Sequence, residues 1–154
     1  MTADAARDLS FTRLLNAPRA NIWRCWTESE LLTQWFCPPP WTVSKADLDT
    51  RPGGASLIVM NGPDSEVMPN RGVYLDVVPN ERLVFTDAFT QAWLPSQKAF
   101  MVGTIEMADE DGKTRYTATV RHWSAEDRDA HEKMGFFVGW GIATDQLEAL
   151  ARTI

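Results

Sequence analysis

The sequence contains few residues of the kinds that build metal sites or disulfide frameworks. Its 154 residues include two cysteines, Cys25 and Cys37, and two histidines, His122 and His131. Two cysteines alone do not indicate a disulfide framework. Zinc-type spacing of histidine with cysteine is absent, so the sequence predicts no metal site. We therefore expect a protein without a metal or another cofactor.

Positive charge and long apolar runs are also scarce. The chain has 15 basic and 21 acidic side chains, for a net charge of −6. This balance disfavours nucleic acid and anionic membranes as partners, because both require a basic surface. No apolar run approaches the length of a membrane span, and the polar residues 1–8 lack the apolar core of a signal peptide. These absences predict a cytoplasmic protein with no nucleic-acid partner and no membrane span.

Internal repeats, low-complexity tracts and linkers between domains are absent as well. A chain of this length fits one domain with a real core, so we expect residues 1–154 to form one domain, with residues 1–7 disordered. Aromatic residues, by contrast, are abundant, with seven Trp and seven Phe. Because aromatic side chains supply large contact area, they predict a wide core or an aromatic-lined pocket.

Alternating apolar residues and turn signals divide the chain into a strand, two short helices, six strands and a long helix. Residues 9–15 alternate as a first strand, and Pro18 begins the first of two short helices, the second ending near Phe36. Pro38–Pro40 then enforce an extended segment. Short connectors favour an antiparallel meander of the next strands. The six predicted strands are Thr42–Thr50, Ala55–Asn61, Arg71–Val78, Arg82–Phe89, Lys98–Ala108 and Thr114–Trp123.

The last thirty residues predict one long helix after Ser124, whose side chain can cap it. The second half carries a single apolar stripe that suits packing on a sheet; the stripe comprises Ala143, Leu147, Leu150 and Ile154. The first half is apolar on almost every side and needs cover from a loop, a cavity or a partner chain; its apolar residues are Met134, Phe136, Phe137, Val138, Trp140 and Ile142. The element order predicts an α+β helix-grip fold, with a curved antiparallel sheet wrapped around the C-terminal helix and two short helices after the first strand.

Three glycines weaken the predicted helix. Gly135, Gly139 and Gly141 each cost about 1 kcal/mol relative to alanine. Such a cost indicates that a ligand, a strand backbone or a second subunit needs room against that face.

Four groups of residues, taken in order, give the chain a resemblance to a known family. They are Ala17-Pro18-Arg19 with Ile22-Trp23 before Trp35, residues 49–54, residues 79–86, and residues 131–136 with Gly139-Trp140. Over nearly its whole length the chain resembles the activator of heat-shock-protein-90 ATPase homologues (AHSA-type), within the START-like SRPBCC superfamily. The resemblance implies the fold and no single function, because this superfamily includes lipid carriers, hormone receptors and cyclases. Bacterial members often carry a polar His-Glu where this chain has Phe137-Val138, which argues against a catalytic role there.

The polar candidates each have a simpler structural explanation. Asp49 and Arg51 share one strand face, where they could hold a polar ligand or anchor the strand before the Gly53-Gly54 turn. His122 and His131 could approach each other as an acid/base pair or a weak metal site. The absence of tight spacing favours capping and surface roles for both histidines.

The cysteines are interpreted in the same way. Cys25 lies in a predicted helix between Trp23 and Trp26 without a nucleophile motif, so a buried inert thiol is favoured over catalysis. Cys37 lies beside Phe36 and three prolines, where we expect it to be more exposed.

We interpret the sequence as a protein that binds a small hydrophobic or amphipathic molecule in a cavity between the sheet and the C-terminal helix. The expected ligand-binding residues are Trp35, Tyr74, Phe85, Phe100, His122, Met134, Phe137 and Val138. No catalytic residue and no metal ligand is predicted. One alternative is a cyclase- or hydrolase-like enzyme, which needs at least two polar side chains converging in the same cavity.

The second alternative is a chaperone-associated interaction protein. A chaperone partner is not favoured, because the chain resembles only one module of the eukaryotic activators. The apolar start of the predicted helix also allows a homodimer, isologous about a two-fold axis.

Overall fold

Seven antiparallel strands form one sheet in the computed structural model, which describes residues 2–154. The elements in chain order are β1 (Asp8–Leu15), α1 (Arg19–Thr27), α2 (Ser29–Leu32), β2 (Thr42–Leu48), β3 (Ala55–Asn61), β4 (Val67–Val78), β5 (Arg82–Thr86), β6 (Phe89–Gln91), β7 (Leu94–Pro95), β8 (Met101–Glu110), β9 (Lys113–His122), α3 (Ala125–Lys133) and α4 (Phe136–Ala151). The sheet order is β1-β9-β8-β5-β4-β3-β2, and β6 pairs with β7 in a separate hairpin. This architecture confirms the predicted α+β fold class. Among residues 2–154, no helix is both long and apolar enough to cross a membrane.

The sheet has one face that packs under the helices. In β9 every second residue is buried, from Thr114 to His122, as expected for a strand with one covered face. Two register shifts, at Val43/Lys45 in β2 and at Tyr74/Asp76 in β4, interrupt the ladders. Such bulges bend strands and strengthen their twist, which helps the sheet curve around the helices.

Helix α4 supplies the cover through residues spaced four apart. Ala143, Leu147 and Ala151 are buried and belong to one core cluster with Ile22 of α1 and Ile105 of β8. This spacing places their side chains on one helix face. Truncating a fully buried leucine such as Leu147 to alanine costs about 2–5 kcal/mol, so this face is a main source of the fold's stability.

The prediction of one continuous C-terminal helix is wrong. Ser124 caps α3 as expected, with Asp127 N–H donating to its Oγ at 3.0 Å, but α3 ends at Lys133. Gly135 adopts the left-handed conformation with φ 96°, and α4 begins after it. Glycine lacks the Cβ that disfavours this conformation, so it commonly ends a helix.

Other boundaries also differ from the sequence-based prediction. Strand β4 begins at Val67 rather than Arg71, and an unpredicted hairpin of β6 and β7 occupies residues 89–95. Strand β8 begins at Met101 rather than Lys98. The side chain of Asp87 accepts hydrogen bonds from the backbone N–H groups of Phe100 and Met101 at 2.9 and 3.1 Å. The Asp87 carboxylate therefore satisfies backbone N–H groups that a neighbouring strand would otherwise pair.

The N-terminal residues contact the sheet. The Asp4 carboxylate accepts a hydrogen bond from Arg7 Nε at 2.7 Å, and the Arg7 carbonyl accepts one from the backbone N–H of His122 at 3.0 Å. The expected disorder of residues 1–7 and the single-domain assignment stay predictions, and Met1 lies outside the described residues.

Candidate functional site

A cavity of about 1010 Å³ lies between the sheet and helix α4. Helix α1, the segment after α2, strands β3–β5, the segment between β5 and β8, and the α3–α4 junction all contribute to its wall. The Trp, Phe and Tyr side chains that line it are Trp26, Trp35, Phe36, Phe85, Phe100, Tyr116, Phe136 and Trp140. The abundance of aromatic residues in the sequence thus serves both the core and the wall of this cavity.

The aromatic wall is held by close packing and hydrogen bonds. The ring of Trp26 lies 4.9 Å from that of Trp35 and 5.8 Å from that of Phe85, centroid to centroid. Trp26 Nε1 donates to Tyr116 Oη at 3.2 Å, and Trp35 Nε1 donates to the Cys25 carbonyl at 2.9 Å. With the indole N–H groups satisfied inside the protein, these rings present apolar surface to the cavity.

Two glycines give the cavity its shape. A Cβ placed on Gly103 of β8 would lie 2.5 Å from the Phe85 ring, so glycine is what lets that ring lie against the strand. A Cβ on Gly139 of α4 would meet no atom within 4 Å, and Gly139 lines the cavity. The room that the helix glycines indicated in the sequence is therefore present at Gly139.

Polar groups gather where the segment between β5 and β8 meets the α3–α4 junction. Asp87 lines the cavity, but its Oδ1 is occupied by two backbone N–H groups. The hydroxyl of Ser96, also on the wall, is buried without a hydrogen-bond partner among residues 2–154. A buried hydroxyl left unpaired costs about 1–3 kcal/mol, so a polar atom of a bound molecule would stabilise it. Lys98 and Arg71 are exposed cations on the same wall.

The two histidines form a hydrogen-bonded pair at this end of the cavity. His122 is 1% exposed, and its Nδ1 lies 2.9 Å from the Arg7 carbonyl oxygen. Its Nε2 lies 2.8 Å from Nδ1 of His131, which lines the cavity. Burial, together with the nearby His122, lowers the pKa of His131 from 6.5 to about 4. The expectation of capping and surface roles for both histidines is therefore wrong, because folding brings β9 and α3 together at this point.

The residues predicted to bind a ligand divide into two groups. Trp35, Phe85, Phe100 and Met134 line the cavity, whereas Tyr74, His122, Phe137 and Val138 do not. Tyr74 is 4% exposed within the core, and His122 lies behind His131. Phe137 and Val138 are 45% and 69% exposed, so neither the sheet nor the cavity covers them.

Several wall residues were not predicted. Phe36, Phe136 and Trp140 belong to the aromatic-rich segments of the sequence. The sequence pattern did not show that their side chains face the cavity. His131 is one of the unpredicted polar wall residues. The one signal for it in the sequence was its separation of nine positions from the only other histidine.

The remaining candidate residues have no environment that would make them reactive. Cys25 and Cys37 are both buried, and burial raises the pKa of each thiol to about 11. Thiols with so little thiolate at neutral pH are poor nucleophiles. Cys37, at 7% against 0% for Cys25, is the more exposed of the two as expected, although it is still buried. Asp49 and Arg51 form an exposed ion pair, with 2.9 Å between Oδ2 and Nη2. Among residues 2–154, no group of three or more His, Cys, Asp or Glu side chains is placed to hold a metal ion.

The fold and cavity together define a helix-grip protein of the START-like, SRPBCC type, a fold that commonly binds small ligands. The family model described as Activator of Hsp90 ATPase homolog 1-like protein matches residues 16–152. The chain belongs to this family, which confirms the resemblance drawn from the sequence motifs.

Solved structures share the fold over nearly the whole chain. Protein NE0264 from Nitrosomonas europaea is 40% identical, with a TM-score of 0.95 over 98% of this chain and 97% of that one. Protein Ms6760 from Mycobacterium smegmatis is 26% identical, with a TM-score of 0.79 over 94% and 90% of the two chains. An AHSA1-like protein from Aeromonas hydrophila, 16% identical with a TM-score of 0.73 over 95% and 92%, shares the fold alone. No curated protein matches the chain.

Proposed function

We propose that the protein binds a small hydrophobic or amphipathic molecule in the cavity between the sheet and α4. The observation that carries this proposal is the aromatic wall around a space of about 1010 Å³. Small-molecule sites usually measure about 300–1,000 Å³ and are mostly apolar with a few polar groups. The cavity matches this description in size, in apolar lining and in its few polar groups.

The energetics support an occupied cavity. The aromatic side chains that line this pocket leave apolar area in contact with water, which is unfavourable. Gly139 adds a helix cost of about 1 kcal/mol while keeping its part of the wall open. A bound apolar molecule offsets both costs by removing the aromatic surface from water.

Displacement of a fluorescent apolar dye tests the proposal. We expect the folded protein to bind such a dye and to release it to fatty-acid-like or flat aromatic molecules. Native mass spectrometry of protein purified without added ligand then identifies any retained molecule by its added mass. Failure of the wild type to bind any dye or retain any mass would contradict the proposal.

Two glycine variants of α4 locate the binding. Gly139→Phe places a ring into the cavity, and we expect it to weaken dye binding at least about tenfold. Gly141→Phe is the matched control, because Gly141 has equal open space around its Cβ but does not line the cavity. Equal loss in both variants would place the dye elsewhere on the protein.

The enzyme alternative is favoured by one observation, the presence of the His131 imidazole on the cavity wall. A neutral imidazole at pH 7 can accept a proton from a bound substrate. A screen with hydrolase and cyclase substrates tests this alternative. Turnover by the wild type that is lost in His131→Ala would establish it over simple binding.

The chaperone-associated alternative and the cytoplasmic location stay predictions. The family name refers to activators of Hsp90 ATPase, and a pull-down with that chaperone, followed by an ATPase assay, tests whether this chain binds it. Binding that survives Gly139→Phe would show a surface separate from the cavity.

A further inference from the structure

With both rings uncharged, hydrogen-bond chemistry assigns the protons of the histidine pair. A carbonyl oxygen can only accept, so His122 Nδ1, 2.9 Å from the Arg7 carbonyl, carries its hydrogen. In the neutral ring His122 Nε2 is then an acceptor. His131 Nδ1, 2.8 Å from that nitrogen, must be the donor. The hydrogen of His131 therefore lies on Nδ1, and its Nε2 keeps a free lone pair.

The free nitrogen belongs to a ring on the cavity wall. His131 is half-buried, and its ring lies 5.2 Å from that of Phe100 and 5.1 Å from that of Phe136. Both phenylalanines also line the cavity. No hydrogen bond joins His131 Nε2 to any of residues 2–154. The wall thus contains an uncharged hydrogen-bond acceptor between two aromatic rings.

We infer that His131 Nε2 accepts a hydrogen bond from an uncharged hydroxyl group of the ligand, and that His122 acts as a positioning residue by holding His131 in the required tautomer. The inference rests on the proposed function and names its ligand class: a molecule with an apolar, preferably aromatic body and a phenolic or alcoholic hydroxyl. A carboxylate fits this nitrogen poorly, because its oxygens only accept. The neighbouring Phe100 and Phe136 suit a flat ring next to the hydroxyl.

A matched pair of probes tests the inference. We expect 4-hexylphenol to displace the dye more strongly than 4-hexylanisole, which has the same body but no hydroxyl hydrogen. The ratio of their affinities in the wild type should exceed the ratio in His131→Phe by about 5- to 10-fold, as for one net hydrogen bond. His131→Gln, which restores an acceptor oxygen, should recover part of the preference.

The outcomes separate this inference from the proposed function. Dye binding with the same probe ratio in the wild type and His131→Phe would overturn the role of His131 while leaving the cavity proposal intact. A wild type that binds neither dye nor probe would overturn both. Tighter binding of 4-hexylbenzoate than of the phenol, unchanged in His131→Phe, would also overturn the inference and indicate Lys98 or Arg71 as the polar contact.

The tautomer of His131 provides a readout that a merely structural role would not change. Two-bond proton–nitrogen correlation spectra distinguish hydrogen on Nδ1 from hydrogen on Nε2. We expect the Nδ1–H form in the wild type, a shift toward Nε2–H in His122→Phe with loss of the phenol preference, and recovery of both in His122→Gln. Wild-type His131 with its hydrogen on Nε2 would overturn the inference, even if the His131 variants failed to fold.

Discussion

At the scale of single residues, burial of His131 makes folding depend on pH. The pKa of His131 is about 4 in the folded protein against an ordinary value of 6.5. Between these values the unfolded chain binds a proton that the folded protein does not. Stability from the neutral ring is therefore complete above pH 6.5 and is lost as the pH falls toward 4.

We expect the free energy of unfolding to fall by about 1 kcal/mol between pH 7.5 and pH 5. The full difference in pKa corresponds to about 3 kcal/mol, and access of solvent from the cavity reduces it. Urea unfolding at the two pH values measures the change, with His131→Gln as the control that should lack it. Asp8 contributes little here, because its carboxyl pKa is held below 3.8 by the Arg121 guanidinium, so Asp8 stays ionised at pH 5. An equal fall in His131→Gln would assign the pH dependence to other groups.

Residue type alone revealed only part of the candidate site. The aromatic residues predicted a pocket, and Trp35, Phe85 and Phe100 lie on its wall. The assignment of Tyr74 to the wall was wrong, because strand alternation does not show which neighbours cover a residue. A bulge also follows Tyr74 in β4. His131 was missed because its partner comes from a strand and its neighbours from the segment before β8, contacts that exist only after folding.

At the scale of elements, Gly135 and Gly141 play opposite roles in the C-terminal helices. Gly135 has φ 96°, which strains a residue with a Cβ, whereas Gly141 lies inside α4 with open space around it. We expect Gly135→Ala to destabilise the protein by about 1–2 kcal/mol. Gly141→Ala should stabilise it by up to about 1 kcal/mol, because alanine is the better helix former.

Chemical unfolding of the two variants measures these changes under one condition. Each replaces a glycine by an alanine only six positions apart, so each serves as the control for the other. Stabilisation by Gly135→Ala would mean that α3 and α4 can join as the single helix that the sequence predicted.

Turn chemistry predicted most boundaries between strands, and local competition explains the exceptions. The connectors at Gly53, Asn80 and Gly112 contain residues with positive φ, as their sequences indicated. The helix break was not predicted because a glycine in a helical segment can indicate either a break or a need for room against that face. The β6–β7 hairpin has only three and two residues in its strands, too few for a periodic pattern.

At the scale of the whole molecule, α4 leaves an apolar patch that neither the sheet nor the cavity covers. The patch comprises Phe137, Val138 and Ile142, which are 45%, 69% and 40% exposed. Contiguous exposed apolar surface commonly indicates an interface. The homodimer expected from the sequence would bury the patch against its own copy, as an isologous two-fold contact allows.

We predict that the wild type is a dimer in light scattering and that Phe137→Asp is a folded monomer. An unpaired carboxylate inside such an interface is costly, whereas Phe137 is already 45% exposed in a single chain. The free energy of unfolding of the monomeric variant should therefore differ from that of a wild-type monomer by less than about 1 kcal/mol. Dye binding should persist, because Phe137 does not line the cavity.

Val67→Asp is the control: Val67 is 63% exposed on β4, outside the patch, and its replacement should leave the dimer intact. A monomeric wild type, or a dimer unchanged by Phe137→Asp, would remove this interface and leave the patch open to other partners.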